Sequence, residues 1–179
     1  VDALVKSNEL KDAKQAIKKA KKKGIDAKKL DALLAQSKGV TDTKVPSQAQ
    51  LNSLLEHFQN GRLDDAEKLA TFTTQEFPQH QFAWKVLGAV LGQTGRNSEA
   101  VNANQTLVAL SPQDAEAQNN LGVTLQELGR LEEAEASYRQ AIALEPNSAG
   151  VHSNLGVTQQ ALGRLEEAEA SCRQAITLK

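Results

Sequence analysis

The 179-residue chain sets 21 basic against 22 acidic residues and carries one cysteine, no methionine and only 3% aromatic residues. A lone Cys172 excludes an internal disulfide framework and a thiolate metal cluster, and the chain has no apolar run of about 18 residues to serve as a transmembrane helix. The near-neutral total hides a dipole along the sequence: residues 1–45 hold 12 lysines and 6 acidic residues, and the remainder 9 basic and 16 acidic residues.

In the basic segment Leu10, Ala13, Ile17 and Ala20 recur at helical spacing, with Lys21, Lys22 and Lys23 before Gly24. Cations in the last turn oppose the helix dipole and glycine ends the helix. Asp26 reads as the N-cap of a second, short helix with Leu30, Leu33 and Leu34 on its apolar face. Residues 1–39 are therefore expected to form a basic helical hairpin, a degenerate half-repeat plus a short helix, followed by a linker over 40–46. No arginine or aromatic residue interrupts its lysine cluster to stack on or read bases, so the cluster is read as a solvated helix face, and neither nucleic acid nor membrane is expected as a partner. Ser47 with Gln50 predicts a capping box at the start of the next helix.

From Ser47 onward the chain repeats itself. Gly61, Gly95, Gly129 and Gly163 recur every 34 residues, each followed by arginine, and Ala66, Ala100, Ala134 and Ala168 keep the same period. Pro78, Pro112 and Pro146 do so too, and residues 115–148 agree with 149–179 at 22 of 31 aligned positions. A 34-residue period marks stacked helix–turn–helix units. Four repeats are expected, over 47–80, 81–114, 115–148 and 149–179. In the third, Ala117, Leu121, Leu125 and Leu128 give a first amphipathic helix broken at Gly129-Arg130. Leu131, Ala134, Tyr138, Ala141, Ile142 and Leu144 give the buried stripe of a second helix ended by Pro146, with Glu132, Glu133, Glu135 and Arg139 expected on its solvated face. One such hairpin cannot bury its own apolar surface, whereas stacked neighbours can. The fold class is all-α, a right-handed α-solenoid of stacked antiparallel helix pairs.

Trp84, Leu87-Gly88, Leu91, Ala100 and Pro112 fall where the tetratricopeptide repeat family places its aromatic, small and proline residues, and the segment from Ser47 to Lys179 resembles that family. Leu54 departs from the first-helix glycine, and Asn104 and Cys172 depart from the aromatic that Tyr138 supplies. The resemblance implies a protein-binding scaffold with no cofactor, whose first helices line a concave groove for a protein or extended peptide. The groove residues are then Asn52, Leu55 and Phe58 in the first repeat and Phe82, Lys85 and Ala89 in the second. The third contributes Asn119, Asn120, Val123 and Gln126, and the fourth Asn154, Val157 and Gln160. An apolar floor with amide rims suits capture of a peptide backbone, because each amide both donates and accepts.

Two further resemblances bear on function. Asn52, Asn120 and Asn154, interrupted at Val86, resemble the asparagine ladder of O-linked N-acetylglucosamine transferases, and the repeats are similar to those attached to bacterial transferases of that kind and to TPR-linked sulfotransferases. A substrate-recruiting arm of a larger transferase, its catalytic domain absent from this chain, is thus the alternative function; the sequence stops at Lys179 just before the next proline is due. A carboxylate clamp of the kind that co-chaperones use is not expected: Lys85 and Asn120 could contribute, but Ala89, Gly150 and Asn154 occupy places that want an asparagine and basic residues.

No catalytic constellation is present. His57, His80 and His152 take different places in the repeat without the i, i+4 pairing of a metal site, and the repeated glutamates have no apolar pocket to tune them. Cys172 is read as a small apolar filler. The chain is accordingly expected to be a non-enzyme, bacterial and cytoplasmic. Two intramolecular or self-directed contacts are also expected. The N-terminal helix can fill the apolar patch of Leu51, Leu55, Phe58 and Phe82, and the final helix can self-associate through Ala168, Cys172, Ala175 and Ile176.

Overall fold

The computed structural model describes residues 45–178. The hairpin expected over 1–39, its filling of the first-repeat patch, and all of the 40–46 linker except Val45 and Pro46 lie outside the described residues.

The described residues form eight helices: α1 Gln48–Gln59, α2 Leu63–Glu76, α3 Gln81–Gln93, α4 Asn97–Leu110, α5 Ala115–Glu127, α6 Leu131–Leu144, α7 Ala149–Ala161 and α8 Leu165–Thr177. Among those residues there is no strand, and the chain is an all-α helical-repeat solenoid. Each consecutive pair packs as a hairpin, and each hairpin packs on the next through α2–α3, α4–α5 and α6–α7. The predicted capping box forms: Gln50 N donates to Ser47 Oγ at 3.3 Å and Ser47 N to Gln50 Oε1 at 2.9 Å.

The periodic glycines turn the chain between the helices of a pair. At the end of α5, Gly129 has φ +71° and donates its N–H to Gln126 O at 2.9 Å, while Arg130 N reaches Leu125 O at 2.9 Å. These two bonds are the Schellman closure, which satisfies the last carbonyls of the helix and needs a left-handed residue that only glycine supplies cheaply. The same pair of bonds recurs at Gly61, Gly95 and Gly163. At the far end of the second helix, the loop is pinned by a side chain of the following first helix. Trp84 Nε1 donates to Pro78 O at 2.8 Å, and the His152 ring sits 2.9 Å from Pro146 O in the equivalent place.

In the first and third hairpins the interior is filled by one large side chain opposite a small one. In the third pair Tyr138, fully buried, lies on Gly122, where an added Cβ would come within 2.6 Å of the ring. The first pair reverses the arrangement: Leu54 stands in the glycine's register and Ala70 in the tyrosine's, and both are fully buried in one cluster. The second pair has Gly88 and Asn104 at these registers, and the fourth Gly156 and Cys172.

Four sequence expectations are corrected. Glu135 is not on a solvated face: it is 3% exposed and receives Arg164 from the next repeat. The reason is positional, since the arginine after a turn glycine can reach back to a glutamate at this register on the second helix of the preceding pair, as Arg96 does to Glu67. Val86, read as interrupting a groove ladder, is 2% exposed in the core, because its face of α3 meets α1 and α2 as well as the groove. Leu128 is exposed, lying at the C-cap just beyond α5. On α8, Ala168 and Ala175 are buried, whereas Leu165, Cys172 and Ile176 are exposed, so the uncovered stripe is narrower and more apolar than expected.

Candidate functional site

First helices of successive pairs adjoin one another, α1 with α3, α3 with α5 and α5 with α7. Their free faces therefore make one continuous strip, and side chains bridge it between repeats. Lys85 Nζ pairs with Glu116 Oε2 at 2.5 Å, Asn154 Nδ2 donates to Asn119 Oδ1 at 3.1 Å, and Thr158 Oγ1 donates to Gln126 Oε1 at 2.9 Å.

Most of the thirteen residues expected in the groove lie on this strip. Leu55, Val123 and Val157 are exposed apolar side chains, and Asn52 and Gln160 are exposed polar ones. Asn119, Asn120, Asn154, Lys85, Ala89 and Gln126 are half-buried. Phe58 and Phe82 are shared with the interior, where both pack against the first hydrophobic cluster.

Hydrogen bonding fixes what these amides can still offer. Gln126 Oε1 accepts from Tyr138 Oη at 3.0 Å and shares the single Thr158 hydroxyl proton with Asn154 O, so the oxygen is engaged and the Gln126 N–H groups remain. The Asn119–Asn154 pair leaves a free donor on Asn119 and a free acceptor on Asn154. That is the complement of a peptide unit. Lys85, in contrast, is committed to Glu116. Burial, and secondarily the nearby Glu127 carboxylate, raises the Tyr138 pKa, so the phenol stays protonated and keeps donating to Gln126.

The strip deepens at one place. Between α3, α4 and α5 a pocket of about 450 Å³ is lined by Gly88, Gly92, Asn104, Asn120, Thr124 and Glu127, with Ala89 and Val123 among its other walls. The sequence marks Asn104 as a departure and places Ala89, Asn120, Val123 and Glu127 on the groove stripe, but stripe spacing alone does not mark Gly92 and Thr124 as pocket walls. The signal was present: Gly92 takes the register of Gln126 and Gln160, so two side chains shrink together in one repeat.

Among the described residues no group of three or more His, Cys, Asp or Glu side chains is placed to hold a metal ion. Burial lowers the His80 pKa, and the His152 ring is occupied at the Pro146 carbonyl. No described helix is long and apolar enough to cross a membrane.

Family models described as tetratricopeptide repeat match residues 51–115, 104–136 and 149–179, and one described as TPR repeat matches residues 125–163. No curated protein matches the chain. Among solved structures, a thermophilic TPR protein of Thermus thermophilus is 27% identical with a TM-score of 0.63, over 74% of each chain. MamA of MSR-1 is 26% identical with a TM-score of 0.66, over 72% of this chain and 74% of its own. MamA from Desulfovibrio magneticus RS-1 superposes at a TM-score of 0.71 with 19% identity, over 94% of this chain and 93% of its own, and so bears on the fold alone.

Proposed function

The chain belongs to the tetratricopeptide repeat family and is a helical-repeat interaction scaffold; from that premise we propose that it captures an extended segment of a partner protein along the strip formed by α1, α3, α5 and α7. The observation that carries this reading is the Asn119–Asn154 pair. It leaves one donor and one acceptor facing the strip, flanked by exposed Val123 and Val157, so a peptide backbone can be held without reading its side chains. The scaffold works by binding rather than catalysis. Its exposed lone cysteine suits a reducing compartment such as the cytoplasm.

A recruiting arm for a larger transferase is the second reading, supported by the register of Asn52, Asn120 and Asn154. Burial of Val86 removes one rung of that ladder, and the general peptide-binding reading does not need it. Self-association through α8 is a further part of the proposal, because Leu165 and Ile176 are 66% and 72% exposed.

The test is selection from a randomised peptide display library against the whole chain, followed by titration of the recovered peptides into the Asn120→Ala/Asn154→Ala variant. Each lost hydrogen bond should cost about 0.5–1.5 kcal/mol of binding, with the helix content unchanged. Recovery of no peptide, or affinity indifferent to both asparagines, sinks the reading.

A further inference from the structure

The pocket of about 450 Å³ between α3, α4 and α5 falls within the range of ligand sites, and its origin is legible in the repeat. Where the third pair places Tyr138 on Gly122 and the first pair places Leu54 opposite Ala70, the second pair has only Gly88 and Asn104. Gly92, in the register of Gln126, removes a second side chain from the same spot. The Asn104 amide covers Gly88, but it is shorter than the ring that fills the third pair, and the space beyond it beside Gly92 is left open to the strip.

The polar atoms around that space are not neutral in preference. Asn104 is 3% exposed, and its Nδ2 donates to Thr124 Oγ1 at 2.9 Å and approaches Asn120 O at 3.4 Å. The Thr124 hydroxyl spends its own proton on Asn120 O at 2.7 Å. What remains deep in the pocket is Asn104 Oδ1, an acceptor with no hydrogen-bond donor among the described residues, and the Glu127 carboxylate adds acceptors at the exposed rim. Water that meets this acceptor in the free chain is displaced without loss only by an occupant that itself donates, so a donor is favoured. A cation would have to shed its water to reach a neutral amide, with its only counter-charge at the exposed rim. A flat apolar body ending in a hydroxyl has neither defect, and Gly92, with nothing within 4 Å of a Cβ position, gives it bare backbone to lie on.

We propose that this pocket is a specificity subsite that receives a tyrosine side chain of the bound peptide, the partner supplying the ring that the second repeat lacks. The inference rests on the peptide-binding reading above and adds a side-chain preference to it.

The probes are N-acetyl-tyrosinamide and N-acetyl-phenylalaninamide, titrated into the full chain while the amide resonances of Gly88 and Gly92 are followed. The tyrosine probe should move both resonances and bind at least about fivefold more tightly than the phenylalanine probe, the missing hydrogen bond making the difference. Asn104→Tyr, which rebuilds the Tyr138–Gly122 arrangement on Gly88, should abolish the response. Gly92→Gln fills the same space from the other helix and should do likewise if Asn104→Tyr folds poorly. Equal binding of the two probes, or a response that survives both fillings, overturns the subsite. Selected peptides that depend on Asn154 but lack tyrosine and ignore Gly92→Gln would overturn it while leaving backbone capture intact. Tyrosine-probe binding blocked by Gly92→Gln, with no extended peptide recovered, would support the subsite and remove the capture reading instead.

Discussion

Arg164, in the turn of the fourth repeat, donates into the buried carboxylate of Glu135 on the second helix of the third. Arg139 and Gln159 complete the carboxylate's partners, so the junction between the two repeats is held by a charge that is only 3% exposed. Removing one partner of a buried pair leaves charge uncompensated, which costs more than the intact pair gains. Arg164→Ala should therefore destabilise the array by about 1–3 kcal/mol. Arg130 is the internal control: Val101 takes the glutamate's register, and Arg130 bonds only the exposed Glu133 beside it. Arg130→Ala should cost under about 1 kcal/mol. Urea unfolding of the two variants checks the contrast, and equal losses would show that the cross-repeat bond contributes nothing.

Two glycines in first helices should respond oppositely to the same substitution. A Cβ on Gly122 would meet the Tyr138 ring at 2.6 to 3.0 Å, and a fully buried ring cannot step aside. Gly122→Ala should cost about 1–3 kcal/mol through overpacking. Gly150, in the first turn of α7, has nothing within 4 Å of its virtual Cβ, and Gly150→Ala should stabilise by about 0.5–1 kcal/mol through helix propensity. Thermal melts of the two single variants decide it.

Tyr138 is the chain's one tyrosine, so its ionisation can be followed alone through the phenolate absorbance. Its folded pKa is raised by burial and by Glu127. The folded state then holds the proton where the unfolded chain has released it, and stability that is fully present below the ordinary tyrosine pKa of about 10 is lost as pH rises above it. The phenolate band should appear only as helical circular dichroism disappears, and Tyr138→Phe should flatten the fall of stability with pH. Ionisation near the ordinary value with helices intact would show that the ring is not enclosed.

The capping box was legible because Ser47 and Gln50 lie three residues apart, and the turn positions and the pairing of helices because each depends on one or two local residues repeated at a fixed period: Gly129 must take a left-handed φ, and Pro146 must follow a helix end. Burial of Glu135 depends on Arg164, 29 residues away and in the next repeat. Composition placed Glu135 with its solvated neighbours Glu132 and Glu133, although Glu67 and Glu169 share its register and could have flagged it. The strip was readable from the apolar and amide positions of the first helices. The pocket was not, because it needs Asn104 and Gly92 to be read together on facing helices. Phe58 and Phe82 show the opposite limit: helical spacing alone does not tell a groove side chain from one packed against the interior cluster.

The outer stripe of α8 should drive self-association. Its residues repeat those of α6, yet Leu165 is 66% and Ile176 72% exposed, while Leu131 and Ile142 at the same registers are half-buried beneath the following repeat. Cys172 is likewise exposed where Tyr138 is enclosed. A second copy that covers Leu165 and Ile176 would remove apolar surface from water at roughly 25 cal/mol per Å². Light scattering should show a concentration-dependent dimer, and Leu165→Glu with Ile176→Glu should return it to monomer without loss of helix, since neither side chain supports the interior. A wild-type chain that stays monomeric at millimolar concentration would show that this stripe is too small to hold two copies together.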